Sequence, residues 1–243
     1  MSQTIVLQNG HHLGDNIINF IFFYKIKDYI EANNIIIHYY CLEKYHNNLA
    51  DFNCSKNIII MKWENKGYIL WQGGNTPHQH WIEDKLCGMF NIFLNHYKIP
   101  ISVNSFEYQD PELFARYENL DNKYKNIDIL IINSTPLSCQ YNYNKEIWND
   151  FIIRLSGKYL VAVSETVNDS ILSLHDVSVK NIAAIALKFK KIIAINTGPS
   201  IPLYNTDILN NVDVIYLFGG SNIFKTRKIK CLTYLKELSF LLY

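Results

Sequence analysis
Apolar and polar positions follow two periods along this chain. Thr4-Ile5-Val6-Leu7-Gln8 is a short apolar run that reads as a buried strand. The polar, glycine-bearing stretch Asn9-Gly10-His11-His12-Leu13-Gly14-Asp15-Asn16 follows it. Residues 17–30 then read as an apolar helix, with Lys25, Lys27 and Asp28 at its solvated end. Strand, glycine turn and helix make the opening of a doubly wound α/β domain. The alternation continues with strands over 35–40, 57–61 and 67–71 and a short helix over 42–50. Thr76-Pro77 is a good N-cap and first-turn pair, so a helix is expected from 77 to 97, ending before Pro100. Phe106-Glu107-Tyr108 is a candidate fifth strand.

The second half repeats the pattern. Residues 126–133 form a strong strand pattern that ends in Ser134-Thr135-Pro136-Leu137-Ser138. Residues 145–155 carry Ile147, Trp148, Phe151 and Leu155 at helical core spacing, and Gly157 stops that helix. A strand is expected over 159–164, and a helix capped by Ser178 over 179–189. The strand at 192–196 runs into Thr197-Gly198-Pro199-Ser200. The strand at 212–218, read as the last, ends in Gly219-Gly220-Ser221-Asn222, and 227–242 reads as a terminal helix. Residues 110–125 are polar and turn-rich, which suggests a short helix plus linker and domains at 1–125 and 126–243. The simplest architecture is two doubly wound domains facing each other across a cleft lined by strand carboxyl ends.

Composition narrows the class of partner. The 243 residues are 49% hydrophobic and 19% charged with net charge +1, a soluble globular composition that gives no reason to expect nucleic acid as a partner. Cys41, Cys54, Cys87, Cys139 and Cys231 are far apart, with no CxxC pair, and read as reduced thiols. Met1-Ser2-Gln3-Thr4 has neither a basic nor an apolar leader region, and the apolar run at 17–23 is too short to span a bilayer. A cytoplasmic protein is expected.

The candidate chemistry lies in the loops. Gly10 and Gly14 would allow a tight turn and close ligand approach. Asp15 either caps the first helix or turns its carboxylate to the crevice above the strand ends, and His11 or His12 is an alternative general base. His78 and His80 are two apart on an expected helix, unlike the i, i+4 spacing of helical zinc ligands. They fit a polar pocket wall better than a metal site, and any one of these histidines alone reads as a surface residue. The small, hydroxyl- and glycine-rich loops at 134–138, 197–200 and 219–222 suit a phosphate-bearing ligand. Lys225, Arg227, Lys228 and Lys230 read as a solvated helix start, or as a basic cluster for donor phosphates or an anionic membrane surface.

Several of these stretches resemble one family. Leu13-Gly14-Asp15 after the first strand is similar to the LGD signature of the bacterial heptosyltransferases, glycosyltransferase family 9. Asn196-Thr197-Gly198-Pro199 resembles that family's DTGP-x-H segment, and Tyr216-Leu217-Phe218-Gly219-Gly220-Ser221 its final strand and loop. Lys145 and Trp148 resemble its K-x-W segment with one residue extra. The resemblance implies the GT-B fold, two Rossmann-like domains with the acceptor on the first and a nucleotide sugar on the second. It implies inverting, metal-independent transfer, with the nucleotide sugar as co-substrate, no resident cofactor and a glycan or other hydroxyl acceptor. Carried over, Asp15 is the catalytic base, and Thr197 and Gly198 bind the diphosphate through their backbone N–H groups. On that scheme the loop residues His11, His12, Gly14, His78 and His80 are expected on the acceptor side, and Ser134, Thr135, Lys145, Asn196, Pro199, Ser200, Gly219 and Gly220 on the donor side. Two positions depart from the pattern: Asn196 stands for the family's Asp, and Ile201 for its His.

Two other classes compete with a sugar-transferring enzyme. A catalytically silent GT-B protein would bind a glycan or nucleotide, or scaffold a partner enzyme. A dinucleotide-dependent oxidoreductase is disfavoured, because neither half has a GxGxxG after its first strand.

Overall fold
The computed structural model describes residues 3–70, 82–124, 126–137, 141–219 and 226–243. The chain divides into two compact units, Met1–Gln109 and Asp110–Tyr243. In the first, β1 (Thr4–Asn9), β2 (Ile36–Cys41), β3 (Ile58–Lys62) and β4 (Tyr68–Ile69) form a parallel sheet in the order β3-β2-β1-β4. Leu7 lies opposite Tyr39 on one side and Tyr68 on the other. The helices are α1 (Leu13–Ala32), α2 (His46–Asp51) and α3 (Ile82–His96). Helix α1 is apolar on nearly every side because it is covered on two. Phe20 and Phe23 meet Tyr39 of β2 edge-on, with ring centroids 5.1 and 5.9 Å apart. Phe22 stacks on Phe90 of α3 at 4.4 Å.

The second unit holds β5 (Ile129–Ile132), β6 (Val161–Val163), β7 (Leu172–Ser173), β8 (Lys191–Ile195), β9 (Val214–Phe218) and β10 (Ile229–Leu232). They form one parallel sheet in the order β10-β9-β8-β5-β6-β7. Counted within the unit, this is the doubly wound order in which the chain starts at the centre, builds outward to one edge and then crosses to the other. Helices α4 (Glu112–Tyr124), α5 (Lys145–Ser156), α6 (Val179–Ala186) and α7 (Thr206–Asn211) cover it, with 3-10 turns at Gly198–Tyr204 and Leu235–Leu241. Alternate residues of each strand serve opposite faces. Leu130, Ile132, Ile192 and Ala194 pack with α4, α6 and α7. Ile129, Ile131, Ile193 and Ile195 pack with α5 and the last 3-10 turn.

The structure corrects the sequence reading at several points. Helix α1 begins at Leu13 rather than Ile17, which puts Gly14 and Asp15 inside its first turn. Residues 106–108 form no ladder strand. Glu83 accepts the Phe106 N–H at 2.9 Å, and the Asn91 amide brackets Val103, so side chains of α3 hold the chain from 103 to 106. Residues 112–124 are a full helix that belongs to the second unit, so the division falls at Gln109/Asp110 rather than at 125/126. The fastening is Lys180 of α6, 1% exposed, which lies 2.8 Å from the buried Asp110 carboxylate and 3.1 Å from Glu112. The expected terminal helix is instead β10 and a 3-10 turn, because Ile229–Leu232 pairs in register with β9, Cys231 opposite Leu217. The described cysteines are free thiols, and burial pushes Cys41 up to about 12.

Candidate functional site
In a doubly wound sheet the ligand crevice opens at the carboxyl ends of the strands, where the strand order reverses. In the first unit that point lies between β1 and β4. Asn9 ends β1, and its side-chain oxygen accepts the His11 N–H at 3.0 Å, which turns the chain toward α1. Gly10 is needed for closeness rather than for a left-handed backbone: a Cβ there would lie 2.8 Å from the Trp63 indole. Gly14 sits in the first helical turn. The described glycines with positive φ are Gly67 and Gly219, so the chain turns at Gly10 and enters the helix at Gly14 without a left-handed backbone at either.

Asp15 stands at the third position of α1, and its Oδ2 accepts the His12 N–H at 3.1 Å. It is therefore both a helix-start cap and a carboxylate at the crevice end of β1. Burial pushes its carboxyl above the ordinary range, partly offset by the His12 N–H and by His11 and His12. A carboxylate raised in this way is a better proton acceptor than a free one. His11 and His12 are exposed and flank it. His78 and His80 lie outside the described residues.

In the second unit the reversal lies between β5 and β8, where Ile132 pairs with Ala194. Asn133, buried just beyond β5, ties this end to that of β6. Its side-chain oxygen accepts the Glu165 N–H at 2.9 Å and the Ser164 hydroxyl at 3.2 Å. Its amide donates to the Glu165 carbonyl at 3.0 Å. Ser134 pairs with Ser164 through their hydroxyls at 3.1 Å, and the Thr135 N–H donates to Glu165 Oε1 at 3.0 Å. Glu165 is a candidate site residue that the sequence motifs miss. Its signal is an acid directly after the second strand of the unit, where doubly wound folds place the group that binds ribose hydroxyls.

Beyond β8, Asn196 donates its amide to the Gly219 carbonyl at 3.3 Å, and Gly219 takes φ 75° at the end of β9. The expected loop at 197–200 is the start of a 3-10 turn. The Thr197 N–H donates to Ser200 Oγ at 3.1 Å, and that hydroxyl donates back to the Thr197 carbonyl at 2.9 Å. Ser200 is 1% exposed and Ile201 8% exposed, so both side chains face inward. Ser200 is thus a buried brace rather than a side-chain ligand. Pro199 sits in the first turn of this 3-10 segment. Lys145 is exposed at the start of α5. Trp148 is buried, donates its indole N–H to the Tyr141 hydroxyl at 3.2 Å, and meets Phe218 edge-on at 5.0 Å. The structure thus brings Ser134 and Thr135 together with Glu165, and Asn196 together with Gly219. Gly220 and Ser138 lie outside the described residues, as does Lys225 of the basic cluster. Lys228 of that cluster donates to the Val212 carbonyl at 2.7 Å, and Lys230 lies on β10 rather than on a helix start. Among the described residues no helix is long and apolar enough to cross a membrane.

No protein-family model matches the chain. No curated protein matches it either. Solved structures do. A family 9 glycosyl transferase from Veillonella parvula DSM 2008 aligns over 98% of this chain and 88% of its own, with TM-score 0.58 and 10% identity. The E. coli ADP-heptose LPS heptosyltransferase II aligns over 99% and 98%, with TM-score 0.58 and 12% identity. TibC, an iron-containing dodecameric glycosyltransferase of enterotoxigenic E. coli H10407, aligns over 94% and 62%, with TM-score 0.51 and 11% identity. At these identities the likeness is one of fold. The chain has the α/β fold of the family 9 glycosyltransferases.

Proposed function
We propose that the chain is a glycosyltransferase of the GT-B type that moves a sugar from a nucleotide-sugar donor to a hydroxyl of a glycan or other acceptor. The observation that carries this reading is Asp15: a partly buried carboxylate, raised by that burial, in the first turn of the helix that follows the first strand. Asp15 takes the acceptor proton as the hydroxyl oxygen attacks the anomeric carbon. The bond to the nucleoside diphosphate breaks on the opposite face, and the configuration inverts. No step in this scheme calls for a metal ion; TibC, by its name, contains iron, so chelation belongs in the test.

The acceptor is assigned to the first unit, with His11, His12 and Gly14 around Asp15. The donor is assigned to the second unit. Thr197, Gly198 and Gly219 stand by the diphosphate, Lys145 adds charge, and Ser134 and Thr135 adjoin the ribose. Glu165 exchanges its bond to the Thr135 N–H for the ribose hydroxyls. Departure of the diphosphate is favoured by such fixed dipoles and charge. We place the protein in the cytoplasm, with Arg227 and Lys230 as the contact to an anionic membrane surface.

A silent, ligand-binding protein of the same fold is the second reading. It is favoured by Ile201, turned inward where the resembled family carries a histidine, and by the neutral Asn196. Calorimetric titration with nucleoside diphosphates and nucleotide sugars, ADP-heptose among them, followed by assay of diphosphate release with and without chelator, separates the two. Binding with chelator-insensitive release supports the transferase, and binding without release supports the silent protein. Binding of none removes the donor site from both.

A further inference from the structure
Helix α1 carries two polar side chains in an apolar stretch. Asn16 and Asn19 are both buried, among Ile17, Ile18, Phe20, Ile21, Phe22 and Phe23. Buried amides are costly unless paired, and these are paired through Tyr39 of β2. The Asn19 amide donates to the Tyr39 hydroxyl at 2.8 Å, and that hydroxyl donates to Asn16 Oδ1 at 2.9 Å. Accepting from Tyr39 fixes which way the Asn16 amide points. Its Nδ2 is thereby aimed at the loop before the helix, where it donates to the His12 carbonyl at 2.9 Å and to the His11 carbonyl at 3.4 Å.

A network that only fastened α1 to the sheet could stop at Tyr39. This one continues to two carbonyls of the segment whose next N–H, that of His12, is held by Asp15 Oδ2. We infer that Asn16, locked by Tyr39 and Asn19, is a positioning residue for Asp15: by gripping the His11 and His12 carbonyls it fixes the peptides on either side of His12, whose N–H orients the Asp15 carboxylate. This deepens the transferase reading and rests on it for its catalytic meaning. The geometry has a measurable consequence without any turnover. Asp15 is faced by the His12 N–H, the His11 and His12 rings and, across the network, Tyr39; the N–H and the two rings lower its pKa against the effect of burial. Loosening the peptide removes the N–H, so the Asp15 carboxyl should titrate higher.

The test uses the full chain with carbon-13 labelled aspartate and follows the Asp15 carboxyl through a pH titration in wild type, Asn16→Leu and Tyr39→Phe. Asn16→Leu removes the grip on the loop. Tyr39→Phe removes only the lock, and is the milder variant should the first fail to fold. The inference predicts that Asp15 titrates at higher pH in both, further in Asn16→Leu. It also predicts that the acid limb of any transfer activity moves with it, with kcat falling more than KM rises. An Asp15 titration unchanged from wild type in a folded variant overturns the inference, whatever happens to thermal stability. If wild type transfers no sugar, the transferase reading fails while the titration still decides the positioning role.

Discussion

At the scale of single residues, Asp15 carries two duties that can be separated by substitution. As a base it must be ionised, so transfer should rise with pH through its raised pKa and fall away below it. Asp15→Asn keeps the shape and an oxygen for the His12 N–H but cannot take a proton, so turnover should drop by about 10²–10⁴-fold or more while donor affinity holds. Stability should move the other way. A carboxyl raised above its ordinary 3.8 favours folding most when protonated, and that contribution is lost as pH rises through the raised value. Asp15→Asn should therefore melt no lower than wild type at neutral pH, and its advantage should shrink on acidification, as read by thermal melts across pH. Asp15 is legible in the sequence because it follows a strand and a glycine. The brace behind it is not. Asn16 and Asn19 look like interruptions of an apolar helix until Tyr39, on another strand, is brought beside them.

At the scale of elements, short-range patterns account for most helices and strands, and long-range pairing accounts for the misses. Ile229–Leu232 carries no strong strand signal, but the edge of β9 offers a row of backbone partners, and pairing outweighs local preference. Residues 106–108 have the composition of a strand, but the Phe106 N–H is taken by Glu83 instead. Helix α4 resembles a linker in sequence because its surface is polar, whereas its attachment is the buried Lys180–Asp110 pair. Removing one partner of such a pair strands the other charge. Lys180→Met should cost about 3–5 kcal/mol in chemical denaturation, and Lys180→Met with Asp110→Leu should recover much of it. Gly67 makes a second element-level test. Its φ is 89°, and a Cβ on it would collide with the Val6 carbonyl of β1. Gly67→Ala should therefore lower the denaturation midpoint of the first unit by disturbing the entry to β4.

At the scale of the whole molecule, the repeat of strand, loop and helix is enough to expect two doubly wound units, and each has its own parallel sheet. The strand orders are not legible, because they depend on which distant segments pair. The division falls earlier than the sequence suggests because α4 packs with residues such as Leu130 and Ile182 that lie after it in sequence. A fragment of residues 110–243 should therefore unfold cooperatively at higher denaturant than one of residues 126–243, which lacks α4 and leaves Lys180 without Asp110. The proposed function also belongs to this scale, since one unit is assigned the base and the other the leaving group. The most direct measurement is nucleoside diphosphate release by the intact chain from a panel of nucleotide sugars, wild type beside Asp15→Asn, each with a calorimetric check of donor binding. The account predicts acceptor-dependent release by wild type from at least one donor, and binding of that donor without appreciable release by Asp15→Asn. Release at the wild-type rate by Asp15→Asn, or no donor bound by either, would contradict it.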